Sequence, residues 1–222
     1  MNSTAYEILL RRDHILFDTE GGVILVDTGS PLSFQENGCI RLGEEEFQVQ
    51  TSLMGVDSSY IAEKVGERVS GLLGLDIIVR TGMKVDVPGG KLTFHPSTEG
   101  MKCLPSRIGM GIVSVEMAMA GKQASVILDT GAPISYVSPS LTDGLEPVGH
   151  VTDFNPQVPG DTFETPVFEF PATFAGKEFS MRAGHLPGSL QLMISLLGVK
   201  GVVGMEILKR IPVTIVQGGV WV

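Results

Sequence analysis

Two acidic residues stand where the pattern around them calls for aliphatic ones. Asp27 ends the run Val23-Ile24-Leu25-Val26 and is followed by Thr28-Gly29-Ser30-Pro31. Asp129 ends Val126-Ile127-Leu128 and is followed by Thr130-Gly131-Ala132-Pro133, so the same order of residue types occurs twice. An unpaired carboxylate at the end of a buried strand is costly, and its repetition points to two carboxylates used together. If they meet, they cannot both ionise easily and will share one proton. The ionised member can then act as general base on a water while the protonated one donates to a carbonyl oxygen. No metal, cofactor or covalent intermediate is required. The plainer alternative is that each Asp only accepts hydrogen bonds from the amides of its own turn.

The neighbours suit the first reading. Gly29 and Gly131 let the chain turn tightly and bring amides close to the carboxylates, where a Cβ would obstruct. Ser30 can add a hydrogen bond to Asp27 that Ala132 cannot offer Asp129, so the two acids are expected to be inequivalent.

A duplicated framework must position these residues. Gly71-Leu72-Leu73-Gly74-Leu75-Asp76 and the segment through Lys91-Leu92-Thr93-Phe94 recur as Gly201-Val202-Val203-Gly204-Met205-Glu206 and the segment through Val220-Trp221-Val222. One constant shift, the one that carries Gly71 to Gly201, relates every position from Gly71 to Arg80 to its match between Gly201 and Arg210. Matched glycines, acids and arginines in both copies identify an internal duplication. Residues 6–10 and 14–17 read as strands, with Asp18-Thr19-Glu20-Gly21-Gly22 turning the chain back into the run before Asp27. Residues 39–42 and 47–49 form a second hairpin with a charged tip at 43–46, and Ser58 is placed to cap a helix over 59–69. In the second half 112–120 and 124–128 repeat the opening hairpin. The stretch from Ala132 to Gly201 is much longer than its counterpart from Ser30 to Gly71. The surplus predicts a long hairpin with arms at 148–154 and 163–170, a candidate flap. These boundaries divide the chain into an N-terminal lobe (1–97), a linker (98–107) and a C-terminal lobe (108–222).

Composition bounds the class. The 222 residues carry a formal charge of −9, 28 glycines and only 6 % aromatics, and short Val, Ile and Leu runs broken by turn residues favour an all-β fold. An acidic chain without clustered Lys and Arg argues against nucleic acid or an anionic membrane as partner. No apolar run reaches the length of a membrane span; residues 190–205 come nearest, interrupted by Lys200. The first twelve residues lack the pattern of a secretory signal, which predicts a cytoplasmic protein with Cys39 and Cys103 as free thiols; a disulfide between them is the alternative. His14, His95, His150 and His185 show no metal-ligand spacing, and Tyr60 and Tyr136 read as packed or rim residues.

The doubled apolar-Asp-Thr-Gly-Ser/Ala motif, each copy followed by apolar-apolar-Gly, resembles the aspartic peptidases of the pepsin and retropepsin type. The resemblance covers the framework of both halves. It implies a bilobal acid-protease fold, with two homologous β-barrel-like lobes related by a pseudo-twofold axis, in a monomer that imitates a dimer. It implies an endopeptidase acting on peptide or protein substrates with Asp27 and Asp129 as its catalytic pair. Thr28 and Thr130 would hydrogen-bond across to the opposite half and lock the pair. One departure is that the first half is too short for a full flap and the room for one lies in the second. That departure keeps open a peptide-binding or assembly module on the same fold that cleaves little or nothing. The opening around Asp27 is also similar to metallo-β-lactamase-like hydrolases, but their dense His-x-His-x-Asp-His cluster is missing.

Overall fold

The computed structural model describes residues 3–53, 55–154 and 162–222. The first half contains β1 (Thr4–Glu7), β2 (Leu9–Arg11), β3 (His14–Thr19), β4 (Gly22–Val26) and β5 (Phe34–Gln35). It continues with β6 (Cys39–Leu42), β7 (Glu45–Gln48), α1 (Ser58–Val65), β8 (Gly71–Leu73), α2 (Leu75–Thr81), β9 (Met83–Asp86) and β10 (Lys91–Phe94). Between the halves lies β11 (Cys103–Leu104). The second half follows with β12 (Ser106–Gly109), β13 (Ile112–Met119), β14 (Lys122–Leu128), β15 (Ser135–Val137), α3 (Pro139–Thr142), β16 (Gly149–Phe154) and β17 (Thr162–Phe174). The chain closes with β18 (Lys177–Gly184), α4 (Gly188–Leu196), β19 (Gly201–Val203), α5 (Met205–Leu208), β20 (Val213–Val216) and β21 (Gly219–Trp221).

The class is all-β. One five-stranded sheet, β2-β3-β4-β8-β5, comes wholly from the first half, and an eight-stranded sheet, β12-β13-β14-β19-β15-β18-β17-β16, from the second. The barrel-like closure that the resemblance implies does not form among the described residues. The eight-stranded sheet folds back through only two rungs between β13 and β17, Ala118↔Thr173 and Met119↔Ala172. A third sheet, β1-β10-β9-β20-β21-β11, takes strands from both halves. At its centre Lys84 pairs with Thr214, its own counterpart under the shift that carries Gly71 to Gly201.

The strands before the two acids owe their unbroken apolar runs to burial on both faces. In β4, Ile24 and Val26 point into the main core, while Leu25 joins a satellite cluster with Phe34, Ile61, Val65 and Leu72 beneath α1. In β14, Val126 and Leu128 enter the same main core and Ile127 packs with Ile112, Ile194 and Val199 beneath α4. Each such strand lies parallel to its partner from the second motif, Leu25↔Leu72 in one half and Ile127↔Val202 in the other. These two rungs are equivalent under the repeat. Burying each of these side chains contributes about 1.5–3 kcal/mol.

Several boundaries differ from the sequence expectation. The cap of α1 is Asp57, whose Oδ1 accepts from Tyr60 N at 2.9 Å, rather than Ser58. The helix stops at Gly66, which takes a left-handed conformation (φ 74°), so that Val69 reaches the core from irregular chain. Part of the expected linker is strand, because β11 and the start of β12 fall within it and pair with β21 and β13. The helices α2, α3, α4 and α5 have no counterpart in the sequence expectation. The predicted long hairpin is present as β16 and β17, in register from Gly149↔Val167 to Phe154↔Thr162, and its turn at 155–161 lies outside the described residues. Cys39 and Cys103 are both free. Among the described residues no helix is long and apolar enough to cross a membrane.

Candidate active site

Asp27 and Asp129 meet. A Cβ built on Gly29 would stand 2.6 Å from Asp129 Cγ, and one built on Gly131 would stand 2.6 Å from Asp27 Cγ. Each glycine therefore lies against the carboxylate of the opposite half, closer than any side chain permits. The two carboxyl groups hydrogen-bond each other, and each stays partly open to solvent.

Backbone amides fix both acids. Asp27 Oδ1 accepts from Gly29 N at 2.8 Å and Ser30 N at 3.1 Å, and Asp129 Oδ1 accepts from Gly131 N at 2.8 Å. The strands beneath are tied in parallel fashion: Asp27 N donates to the Leu73 carbonyl at 3.0 Å and Asp129 N to the Val203 carbonyl at 2.9 Å.

The threonines join the halves. Thr28 N donates to Thr130 Oγ1 and Thr130 N to Thr28 Oγ1, both at 2.9 Å. Each hydroxyl passes its proton onward, Thr28 Oγ1 to the Leu128 carbonyl at 2.7 Å and Thr130 Oγ1 to the Val26 carbonyl at 2.9 Å. Both threonines are fully buried, so every polar atom of this four-bond cross-link needs its partner.

Ser30 departs from expectation. Its hydroxyl donates to the Leu32 carbonyl at 2.8 Å rather than to Asp27, and only its amide serves the carboxylate. A turn hydroxyl chooses among nearby acceptors, and here a backbone carbonyl two residues on is the better placed. Ala132 contributes through its backbone, its carbonyl accepting from Met205 N at 3.2 Å just as the Ser30 carbonyl accepts from Leu75 N at 2.9 Å.

Burial pushes both carboxyls above their ordinary value, Asp27 well above it. For Asp27 the Asp129 charge and the hydrogen bond to it push the same way, against the amides of Gly29 and Ser30. For Asp129 burial is opposed by the Gly131 amide, by the hydrogen bond from Asp27 and by the amides of Gly29 and Ala132. Two buried carboxyls with raised values, in hydrogen-bond contact, hold one proton between them. Different sets of amides face the two acids, and the Ser30 hydroxyl is not among the groups that do.

Two supporting residues were not read from the sequence. Ser33 Oγ accepts from Gly74 N at 2.8 Å and donates to Asp76 Oδ1 at 2.6 Å, and Ser135 Oγ accepts from Gly204 N at 3.3 Å. These serines clamp the apolar-apolar-Gly strand to the loop that carries each Asp. The signal was available, since Ser33 and Ser135 are separated by the same interval as the two acids. The histidines lie apart from the dyad chemistry: His95 stands 3.0 Å from Glu45, and His185 Nε2 stands 2.7 Å from Thr142 Oγ1 with its ring stacked on Phe168. Among the described residues no three His, Cys, Asp or Glu side chains gather to hold a metal ion.

No protein-family model matches the chain, and no curated protein matches it. What the site can do must come from its own geometry. A carboxylic acid and a carboxylate, hydrogen-bonded to each other, backed by amides and open on one side, can deliver one proton and accept another at adjacent points.

Proposed function

We propose that the chain is an aspartic endopeptidase, a bilobal acid protease whose two lobes are related by a pseudo-twofold axis. The observation that carries this reading is the reciprocal packing of the two acids, each lying against the glycine of the opposite half and sharing one proton. The reciprocal threonine bonds and the Lys84↔Thr214 rung, where a strand pairs with its own counterpart, support the axis.

In this mechanism an extended peptide lies across the dyad, held mainly by main-chain hydrogen bonds. The ionised acid of the pair takes a proton from a water between the carboxyl groups as its oxygen attacks the scissile carbonyl carbon. The protonated acid gives its proton to the carbonyl oxygen, so charge does not build up on the tetrahedral intermediate. On collapse the acid that took the water's proton gives it to the leaving amine while the other takes a proton from a hydroxyl of the intermediate. The C–N bond breaks, a carboxylic acid and an amine leave, and the pair again holds one proton.

The test is incubation of the chain with a denatured protein from acid to neutral pH, with and without a statine-type transition-state analogue. Cleavage that the analogue suppresses supports the reading. Binding of the peptide without cleavage at any pH would overturn it in favour of the binding module.

A further inference from the structure

Tyr136 occupies a position that the internal repeat makes unusually informative. It is the counterpart of Phe34 under the shift that carries Asp27 to Asp129. The two hold the same place in the ladder, since Phe34 pairs with Leu72 and Tyr136 with Val202, the repeat equivalent of Leu72. Phe34 is fully buried in the cluster beneath α1. Tyr136 is only 5 % exposed, yet its ring faces a different neighbour. Its hydroxyl donates to Asp153 Oδ2, and its ring centroid lies 5.8 Å from that of Phe163. Asp153 and Phe163 are directly paired across β16 and β17, so one tyrosine grips both arms of the long hairpin at a single rung. The phenolic oxygen is present in the half whose long hairpin offers Asp153 to receive its proton.

The tyrosine is itself held rigidly. β15 is paired with β18 on one side, Ser135↔Ala183 and Tyr136↔Gly184, and with β19 on the other. β19 in turn lies beside β14, and its Val203 carbonyl accepts the amide of Asp129. An unbroken ladder of backbone bonds thus runs from the hairpin's anchor to the acid.

We infer that Tyr136, through Asp153, is a positioning residue that fixes the β16–β17 hairpin relative to the Asp129 loop so that the hairpin bears on the bound peptide. This role rests on the peptidase reading. Burial, together with the Asp153 hydrogen bond and charge, pushes the Tyr136 phenol well above its ordinary value, so the proton stays on the tyrosine across the working pH range.

The test uses Tyr136→Phe, Asp153→Ala and Asp153→Asn in the full chain, each first checked for an intact thermal transition. Hydrogen–deuterium exchange of the hairpin is read against that of β13 and β14. Tyr136→Phe and Asp153→Ala are expected to raise exchange in the described arms on the order of tenfold, with β13 and β14 unchanged. Asp153→Asn, which keeps an acceptor oxygen, is expected to restore protection. On the peptide substrate the same two variants raise KM on the order of tenfold with little change in kcat, the mark of lost uniform binding. Unchanged hairpin exchange in Tyr136→Phe would overturn the anchor, and faster exchange with unchanged KM would overturn its bearing on substrate. Failure of the wild-type chain to cleave would remove the peptidase reading and the substrate role with it, while the exchange result would still decide the anchor.

Discussion

Thr28 and Thr130 hold the two acids in register, and their removal has a calculable consequence. In Thr28→Val the shape is kept but the Leu128 carbonyl and the Thr130 amide lose their partners in a fully buried place. Each unsatisfied group costs about 1–3 kcal/mol, so urea unfolding should show a loss of that order or more, with Thr130→Val similar by reciprocity. The acids themselves act in the opposite direction. Because their folded-state values are raised, the native state binds protons more tightly than the unfolded chain, and ionisation opposes folding as pH rises through those raised values. Asp27→Asn should therefore unfold at a higher temperature than wild type at neutral pH, by about 2–4 °C for each kcal/mol relieved, and the advantage should vanish in acid. Equal melting temperatures at every pH would contradict the shared proton. The duplicated Asp, Thr and Gly were legible in the sequence because each type has one use at such a turn. The Ser30 hydroxyl was not, because several acceptors lie within its reach and only the folded backbone selects one.

Elements were legible where an apolar pattern met a clear stop. The strands β3, β4, β13 and β14 follow from alternating or continuous apolar runs closed by turn residues, and Thr19 Oγ1 donating to the Gly22 carbonyl at 2.8 Å shows the first turn at work. α2 and α5 carry no such signal because they begin on Gly74 and Gly204 without a side-chain cap and are buried on most sides, which erases the amphipathic period. In both copies an arginine then lies over a phenylalanine ring, Arg80 over Phe47 at 5.2 Å and Arg210 over Phe179 at 5.3 Å. The start of α1 is ambiguous in the sequence, since Asp and Ser are equally good caps and only the bond to Tyr60 N separates them. Replacing Asp57 by Ala should lower stability by about 1 kcal/mol, whereas Ser58→Ala should change it little, as thermal or urea unfolding will show.

At the scale of the whole molecule the repeat predicted two related halves but not how closely they join. The main core takes Phe17, Val26 and Leu73 from the first half together with Val126, Leu128 and Val203 from the second. The six-stranded sheet crosses between them through β9 and β20. Pairing of a strand with its own counterpart has no local sequence signal, because its energy lies in contacts between distant parts of the chain. A shared core and a shared sheet predict one cooperative unfolding transition. Fluorescence of Trp221, the sole tryptophan, reports the shared sheet, and far-ultraviolet circular dichroism reports all strands. The two should coincide in urea, and separated midpoints would show that the halves unfold independently.

The most direct measurement is kcat/KM on a peptide substrate as a function of pH for the wild-type chain, Asp27→Asn and Asp129→Asn. Wild type should give a bell whose acid limb is uptake of a second proton by the pair and whose alkaline limb is loss of the shared one. Each variant should fall by at least about 10²–10⁴, with its fold intact. A variant that retained wild-type kcat/KM would contradict catalysis by the paired acids.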